Sequence, residues 1–156
     1  MLRELKFEAY GIDTNPVSIA RCRELGLTAQ QDDAESHLAK LESDSLGVIS
    51  LFQVLEHVPL AELPALLREI LRVLKPGGML IAEFPNIQSL QVGANTFWLD
   101  PTHLRPLHPL FVEFVAIETG FASVQLHYPS YETPSEDAPG MSGATTAPDV
   151  ALLAIK

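Results

Sequence analysis

The chain is poor in several residue types, and each shortage excludes a class of protein. Its 156 residues include one cysteine, Cys22, so neither an intrachain disulfide nor a cysteine-based metal site is available. Lys and Arg number 10 against 20 Asp and Glu, giving a formal net charge of −10, and the few cations are scattered. A nucleic-acid binder needs a basic stripe, so DNA and RNA are not expected partners. The longest apolar runs, such as Leu46–Phe52 and Val150–Ile155, fall far short of the roughly 20 residues that span a bilayer. The opening MLRELKFEAYGID has early charges and no apolar core, so no signal peptide is expected. A cytoplasmic protein fits these shortages, with Cys22 serving as buried filler.

What is present is a globular composition, 47% hydrophobic and 19% charged, in a chain long enough for one domain with a core. Short apolar runs alternate with helical periods, the signature of an α/β domain with a mainly parallel sheet. Residues 2–7 read as the tail of a helix, and Glu8–Ile12 as a strand ending at Asp13. Asn15 and Pro16 cap and start a helix over Val17–Leu25 that stops at Gly26. Leu27–Gln31 is a weak strand leading to Asp32 and Asp33, followed by a short helix over Glu35–Leu41. Leu46–Phe52 has the length and composition of a strand buried on both faces. Leu63, Leu66, Leu67, Ile70, Leu71 and Leu74 then form one apolar helical stripe, ended by Pro76-Gly77-Gly78 before a strand over Met79–Phe84. Residues 86–108 form a long polar and aromatic connection. A helix over Pro109–Thr119 stops at Gly120, and strands are expected at Phe121–Tyr128 and Val150–Ile155. Between those strands, 129–148 reads as a flexible hairpin loop with four prolines, which makes the last strand antiparallel.

In an open parallel sheet, ligands sit beyond the carboxyl ends of the strands. That rule singles out Asp13, Asp33, Gln53 to His57, and Pro85 with Asn86. Asp13 can accept both hydroxyl protons of a ribose, or cap a helix. Asp33 can accept from an adenine amino group, or serve the backbone. Glu56-His57 suits acid–base chemistry, and Glu56 equally suits a structural carboxylate bonding backbone amides. The histidine and carboxylate positions show no metal-ligand spacing, so no metal is expected. Asp100, His103 and Arg105 crowd into six residues beside Phe97 and Trp98. Aromatic faces pack on sugar CH groups, Arg105 can pair with a phosphate or carboxylate, and an imidazole can take a proton from a hydroxyl. The other reading of this segment is an ordered loop in which His103 caps a backbone group and Trp98 plugs the core.

YGIDTNP, DDAE, SLFQVLEHV and LLREILRVLKPGGMLIAEFPN, in this order and spacing, resemble the class I S-adenosylmethionine-dependent methyltransferases. FWLDPTHLRPL is similar to members associated with polysaccharide and O-antigen assembly. The resemblance implies a Rossmann-like, mostly parallel α/β sheet with helices on both faces and a C-terminal antiparallel strand. It implies S-adenosylmethionine as cofactor, with Asp13 on the ribose, Asp33 on the adenine amino group, Ala34 near the adenine ring, and Phe52 and Gln53 near the sulfonium. Pro85, Asn86, Phe97, Trp98, Asp100 and Arg105 would face a small-molecule or sugar acceptor, methylated on oxygen with His103, or secondly His57, as base.

The family pattern starts with a further strand and a glycine-rich turn, and neither is found before Asp13. The expectation is therefore a single incomplete domain over 1–156, an N-terminally truncated fragment that binds the cofactor weakly or not at all. Its open sheet edges invite a homo-oligomer. Two other functions stay in view: a degenerate, non-catalytic domain acting through protein association, and a nicotinamide-dependent oxidoreductase, which also places an acidic residue after its second strand.

Overall fold

The computed structural model describes residues 6–129 and 147–156. The chain divides into two compact units, Met1–Leu41 and Glu42–Lys156.

The first unit is a parallel strand pair with two helices. Strand β1 (Gly11–Asp13) pairs with β2 (Ala29–Gln31) in the register Gly11↔Ala29 to Asp13↔Gln31. Between them runs α1 (Pro16–Glu24), started as its sequence predicts: the Asn15 side chain accepts from the Val17 amide at 2.9 Å and Pro16 opens the first turn. Gly26 takes a left-handed φ of 72° just beyond its end. Helix α2 (Ala34–Leu38) is capped by Asp33, whose carboxylate accepts from the Ser36 amide at 2.8 Å. β1 is shorter than the expected Glu8–Ile12 and extends through Asp13, because only these three residues pair with β2. Cys22 is half-buried rather than buried.

The second unit holds a four-stranded sheet in the order β3-β4-β6-β5. β3 (Leu46–Phe52) and β4 (Leu74–Pro85) are parallel, and β6 (Asp149–Ile155) runs antiparallel to both β4 and β5 (Ser123–His127). The expected antiparallel C-terminal strand is thus present, inserted between β4 and β5. Helix α3 (Leu63–Val73) packs on β4 and on α5 (Pro109–Thr119), which also packs on β5 and β6. Of the expected stripe, Leu63, Leu66, Leu67 and Ile70 are all at most 2% exposed, Leu71 is half-buried, and Leu74 is buried as the first residue of β4. Burying each such side chain contributes about 1.5–3 kcal/mol. Gly120 closes α5 in the left-handed conformation, φ 110°.

Three sequence expectations need correction here. Leu46–Phe52 is a strand, but it is not buried on both faces. It lies at the edge of its sheet, and Val48 and Phe52 are each 59% exposed. Its apolar residues lack a neighbour on the far edge among the described residues.

Pro76-Gly77-Gly78 does not separate helix from strand either. α3 ends at Val73 and β4 begins at once with Leu74, so the register jumps from Leu46↔Leu74 to Val48↔Met79 and the Pro-Gly-Gly segment bulges out. Gly77 is left-handed in this bulge, φ 74°, and a Cβ on Gly78 would lie 2.8 Å from the Lys75 carbonyl oxygen.

The connection 86–108 is not a plain loop. It contains α4 (Leu90–Ala94) and a 3₁₀ turn, Thr96–Leu99, because Val92 and Phe97 have a core to enter, 5% and 2% exposed. The expected hairpin loop 129–148 lies almost wholly outside the described residues. Among the described residues, no helix is long and apolar enough to cross a membrane.

Candidate functional site

The end of β3 turns sharply. Gln53 has a left-handed φ of 53°, a conformation that costs a non-glycine residue about 1–3 kcal/mol unless its surroundings hold it. Here they do: its amide donates to the Glu83 carbonyl at 2.9 Å and its side chain donates to Asp149 Oδ1 at 3.1 Å. The turn feeds a 3₁₀ segment, Leu55–His57, that buries Leu55 and carries Glu56 inward with it, 1% exposed.

Neither carboxylate oxygen of Glu56 has a hydrogen-bond partner among the described residues. Burial pushes its carboxyl above the usual carboxylate range, opposed by its own backbone amide and then by the charge that His57 and His103 carry when protonated. The Nε2 atoms of both histidines lie 4.0 Å from Glu56 Oε1, too far for a hydrogen bond.

Each imidazole is oriented from its other nitrogen. His57 Nδ1 is 3.0 Å from the Thr102 carbonyl oxygen and 3.3 Å from the Thr102 hydroxyl. His103 Nδ1 is 2.8 Å from the Phe97 carbonyl oxygen. A carbonyl accepts only from N–H, so Nδ1 carries the proton in both rings and Nε2 of the neutral ring keeps a lone pair. The rings lie 5.0 Å apart, and His103 rests on the buried Phe97 ring at 4.5 Å. The 96–105 segment is pinned by the Leu104 amide, which donates to the Glu56 carbonyl at 2.9 Å. Asp100 fixes Thr102, accepting from its amide at 2.8 Å and its hydroxyl at 2.6 Å. Those two bonds, the side-chain one first, hold the Asp100 carboxyl below its usual range.

His103 also borders a cleft of about 150 Å³ lined by Pro85, Val92, Thr96, Phe97, Pro148 and Asp149. The structure therefore brings together Gln53, His57, Pro85, Phe97, Asp100 and His103. Trp98 does not plug the core; Phe97 does. Trp98 is 62% exposed, edge-on to Phe97, with its indole N–H donated to the Gly93 carbonyl at 2.9 Å. Arg105 is exposed, and Phe52 presents its ring to solvent. Asn86 is fully buried and works for the backbone: its side chain donates to the Ala147 carbonyl at 2.9 Å and accepts from the Gln88 amide at 3.1 Å. The structure thus does not open Asn86 to an acceptor. Asp149 at the start of β6 was missed from sequence, because its place beside Gln53 depends on the antiparallel insertion of that strand.

In the first unit, Asp13 and Asp33 lie at the same carboxyl end of the parallel pair. The Asp32 amide donates to the Asp13 carbonyl at 3.2 Å, and one Asp13 carboxylate oxygen accepts from the Asn15 amide at 2.7 Å. Hydrogen bonds from Ser36 hold the Asp33 carboxyl below its usual range. Beside them, Asp32 accepts from Lys40 at 2.7 Å and contacts His37 Nδ1 at 3.2 Å, while Nε2 of that ring meets the Tyr10 hydroxyl at 3.0 Å. Sequence spacing gave no reason to group these four residues.

A methyltransferase-domain family model matches residues 1–82, more than half of the chain. The chain is 26% identical to a S-adenosylmethionine-dependent methyltransferase from Archaeoglobus fulgidus, with a TM-score of 0.85, covering 99% of this chain and 79% of that one. It shares the fold of a S-adenosylmethionine-dependent methyltransferase from Thermotoga maritima at 20% identity, with a TM-score of 0.71 and coverage of 99% and 75%. The fold is also that of a methyltransferase from Mesorhizobium loti, at 17% identity, with a TM-score of 0.64 and coverage of 94% and 79%. No curated protein sequence matches the chain. These findings disfavour the nicotinamide-dependent oxidoreductase and imply S-adenosylmethionine as the cofactor. The paired β1 and β2, with their carboxylates at a common end, and the sheet with its inserted antiparallel strand are the parts of a protein that belongs to the methyltransferase-domain family.

Proposed function

We propose that this chain methylates a hydroxyl oxygen of a small or sugar-bearing acceptor, with His103 as the base. One observation carries this reading: His103 is tied at Nδ1 to the Phe97 carbonyl, borders the 150 Å³ cleft, and keeps its Nε2 lone pair for a proton. His57 stands behind it as the second imidazole. The cleft is smaller than a site that engulfs a whole ligand, about 300–1,000 Å³, so it suits the reacting end of an acceptor. The exposed Trp98 face would then carry a sugar ring, and Arg105 an attached phosphate or carboxylate.

On the cofactor side, Asp13 is the residue for the ribose hydroxyls and Asp33 for the adenine amino group, with Ala34 near the ring and Phe52 and Gln53 near the sulfonium. The donor chemistry fits: at least one carboxylate oxygen of Asp13 already accepts a backbone N–H, and ribose hydroxyls are further donors of that kind. When bound, S-adenosylmethionine supplies an electrophilic methyl group. The protein's part is alignment of the acceptor and removal of its proton. The open edge of β3 is proposed to pair with a second copy.

The test is transfer of labelled methyl groups to a panel of hydroxyl, phosphate and carboxylate acceptors. The expected product is an alkali-stable methyl ether. Product that releases methanol in mild alkali indicates a carboxylate acceptor and contradicts the hydroxyl reading; in that case Arg105 rather than His103 orients the acceptor, and no base is needed.

A further inference from the structure

We infer that Glu56, His57 and His103 form a binding site for one divalent transition-metal cation. Its ligand atoms are a Glu56 carboxylate oxygen and Nε2 of both histidines. The site goes beyond the functional reading above and competes with its base, since a bound cation occupies the same Nε2 lone pair of His103.

The three ligand atoms all lie within 4.8 Å of one another. Ligands held about 2.0–2.2 Å from a common ion stand roughly 3–4 Å apart, so an adjustment on the order of an ångström closes the set. Glu56 supplies the independent observation. It is 1% exposed, and neither oxygen finds a hydrogen bond among the described residues. An unpartnered buried carboxylate is costly unless something compensates it. Nε2 of each histidine lies 4.0 Å from Oε1, and with Nδ1 holding the proton of the neutral ring that nitrogen presents a lone pair. Two acceptors facing a carboxylate do not satisfy it, whereas a cation satisfies all three at once.

The outer contacts agree. Metal-bound histidines commonly donate their other N–H to a carbonyl or carboxylate, which fixes ring and tautomer. His103 does so to the Phe97 carbonyl at 2.8 Å, and His57 to the Thr102 carbonyl at 3.0 Å, with Thr102 held in turn by Asp100. Two imidazoles and one carboxylate suit Zn²⁺, Co²⁺ or Mn²⁺ better than Ca²⁺. Three protein ligands leave positions for water or for an acceptor oxygen.

The experiment is calorimetric titration of the chelator-treated chain with Zn²⁺, and with Co²⁺ followed by its visible absorption. The expected result is one equivalent bound by the wild type, with affinity falling more than about 100-fold in each of Glu56→Gln, His57→Asn and His103→Asn. Mn²⁺ added to the wild-type chain should also broaden the ring resonances of His57 and His103 ahead of those of His108 and His127; this readout needs no variant to fold. No binding to the wild type, or binding that survives in any folded variant, overturns the site. Methyl transfer that depends on His103 in a chain that binds no metal overturns the metal site and leaves the base role standing. Metal binding in a chain whose transfer ignores His103 supports the site and removes the base.

Discussion

Replacing His103 with Asn is expected to slow methyl transfer about 100- to 10,000-fold, the range associated with losing a positioned acid–base group. Asn is of similar size and can still donate to the Phe97 carbonyl that His103 meets at 2.8 Å, so the 96–105 segment should keep its place. What it lacks is the second nitrogen. If that lone pair takes the acceptor's proton, transfer suffers in kcat rather than in cofactor affinity. Initial rates of S-adenosylhomocysteine formation, measured at saturating cofactor, give the split. A small effect of His103→Asn beside a large one of Arg105→Ala would point to an acceptor already ionised.

The second large effect is structural. Phe84→Ala should destabilise the protein by about 3–5 kcal/mol. Phe84 is 0% exposed, on the β4 strand that joins the parallel half of the sheet to the antiparallel half, opposite Val150 of β6. Truncation leaves a cavity that strands paired on both edges cannot close over. The loss should appear as a lower midpoint in urea with an unchanged slope. A shift worth under about 1 kcal/mol would mean that the site relaxes freely instead of keeping a cavity.

Much of the fold was legible because its signals are local. Asn15-Pro16 starts α1, the leucine stripe draws α3, and Gly120 stops α5, each within one or two residues of expectation. Local signals failed where a neighbour decides the outcome. Leu46–Phe52 reads as buried on both faces because composition records apolarity and not the number of partners; as an edge strand it leaves Val48 and Phe52 exposed. In 86–108, Val92 and Phe97 enter the core and impose helical turns that no extended apolar period announces. The candidate site divides the same way. The carboxylates after the first two strands could be named from position alone. The convergence of His103 on Glu56 could not, since the residues between them are joined by a strand, a helix and a folded segment whose path is a tertiary fact. Asn86 shows the converse: its position at a strand end suggested a ligand contact, and the structure spends its amide on the backbone.

The central claim is that carboxylates at the common end of β1 and β2 hold an adenosyl group. Calorimetric titration of the chain with S-adenosylmethionine tests it most directly, run beside Asp13→Ala and beside a nicotinamide dinucleotide. The account predicts a measurable complex, weakened in Asp13→Ala, and no heat from the nicotinamide compound. Affinity that is indifferent to Asp13, or equal for the two nucleotides, would contradict it.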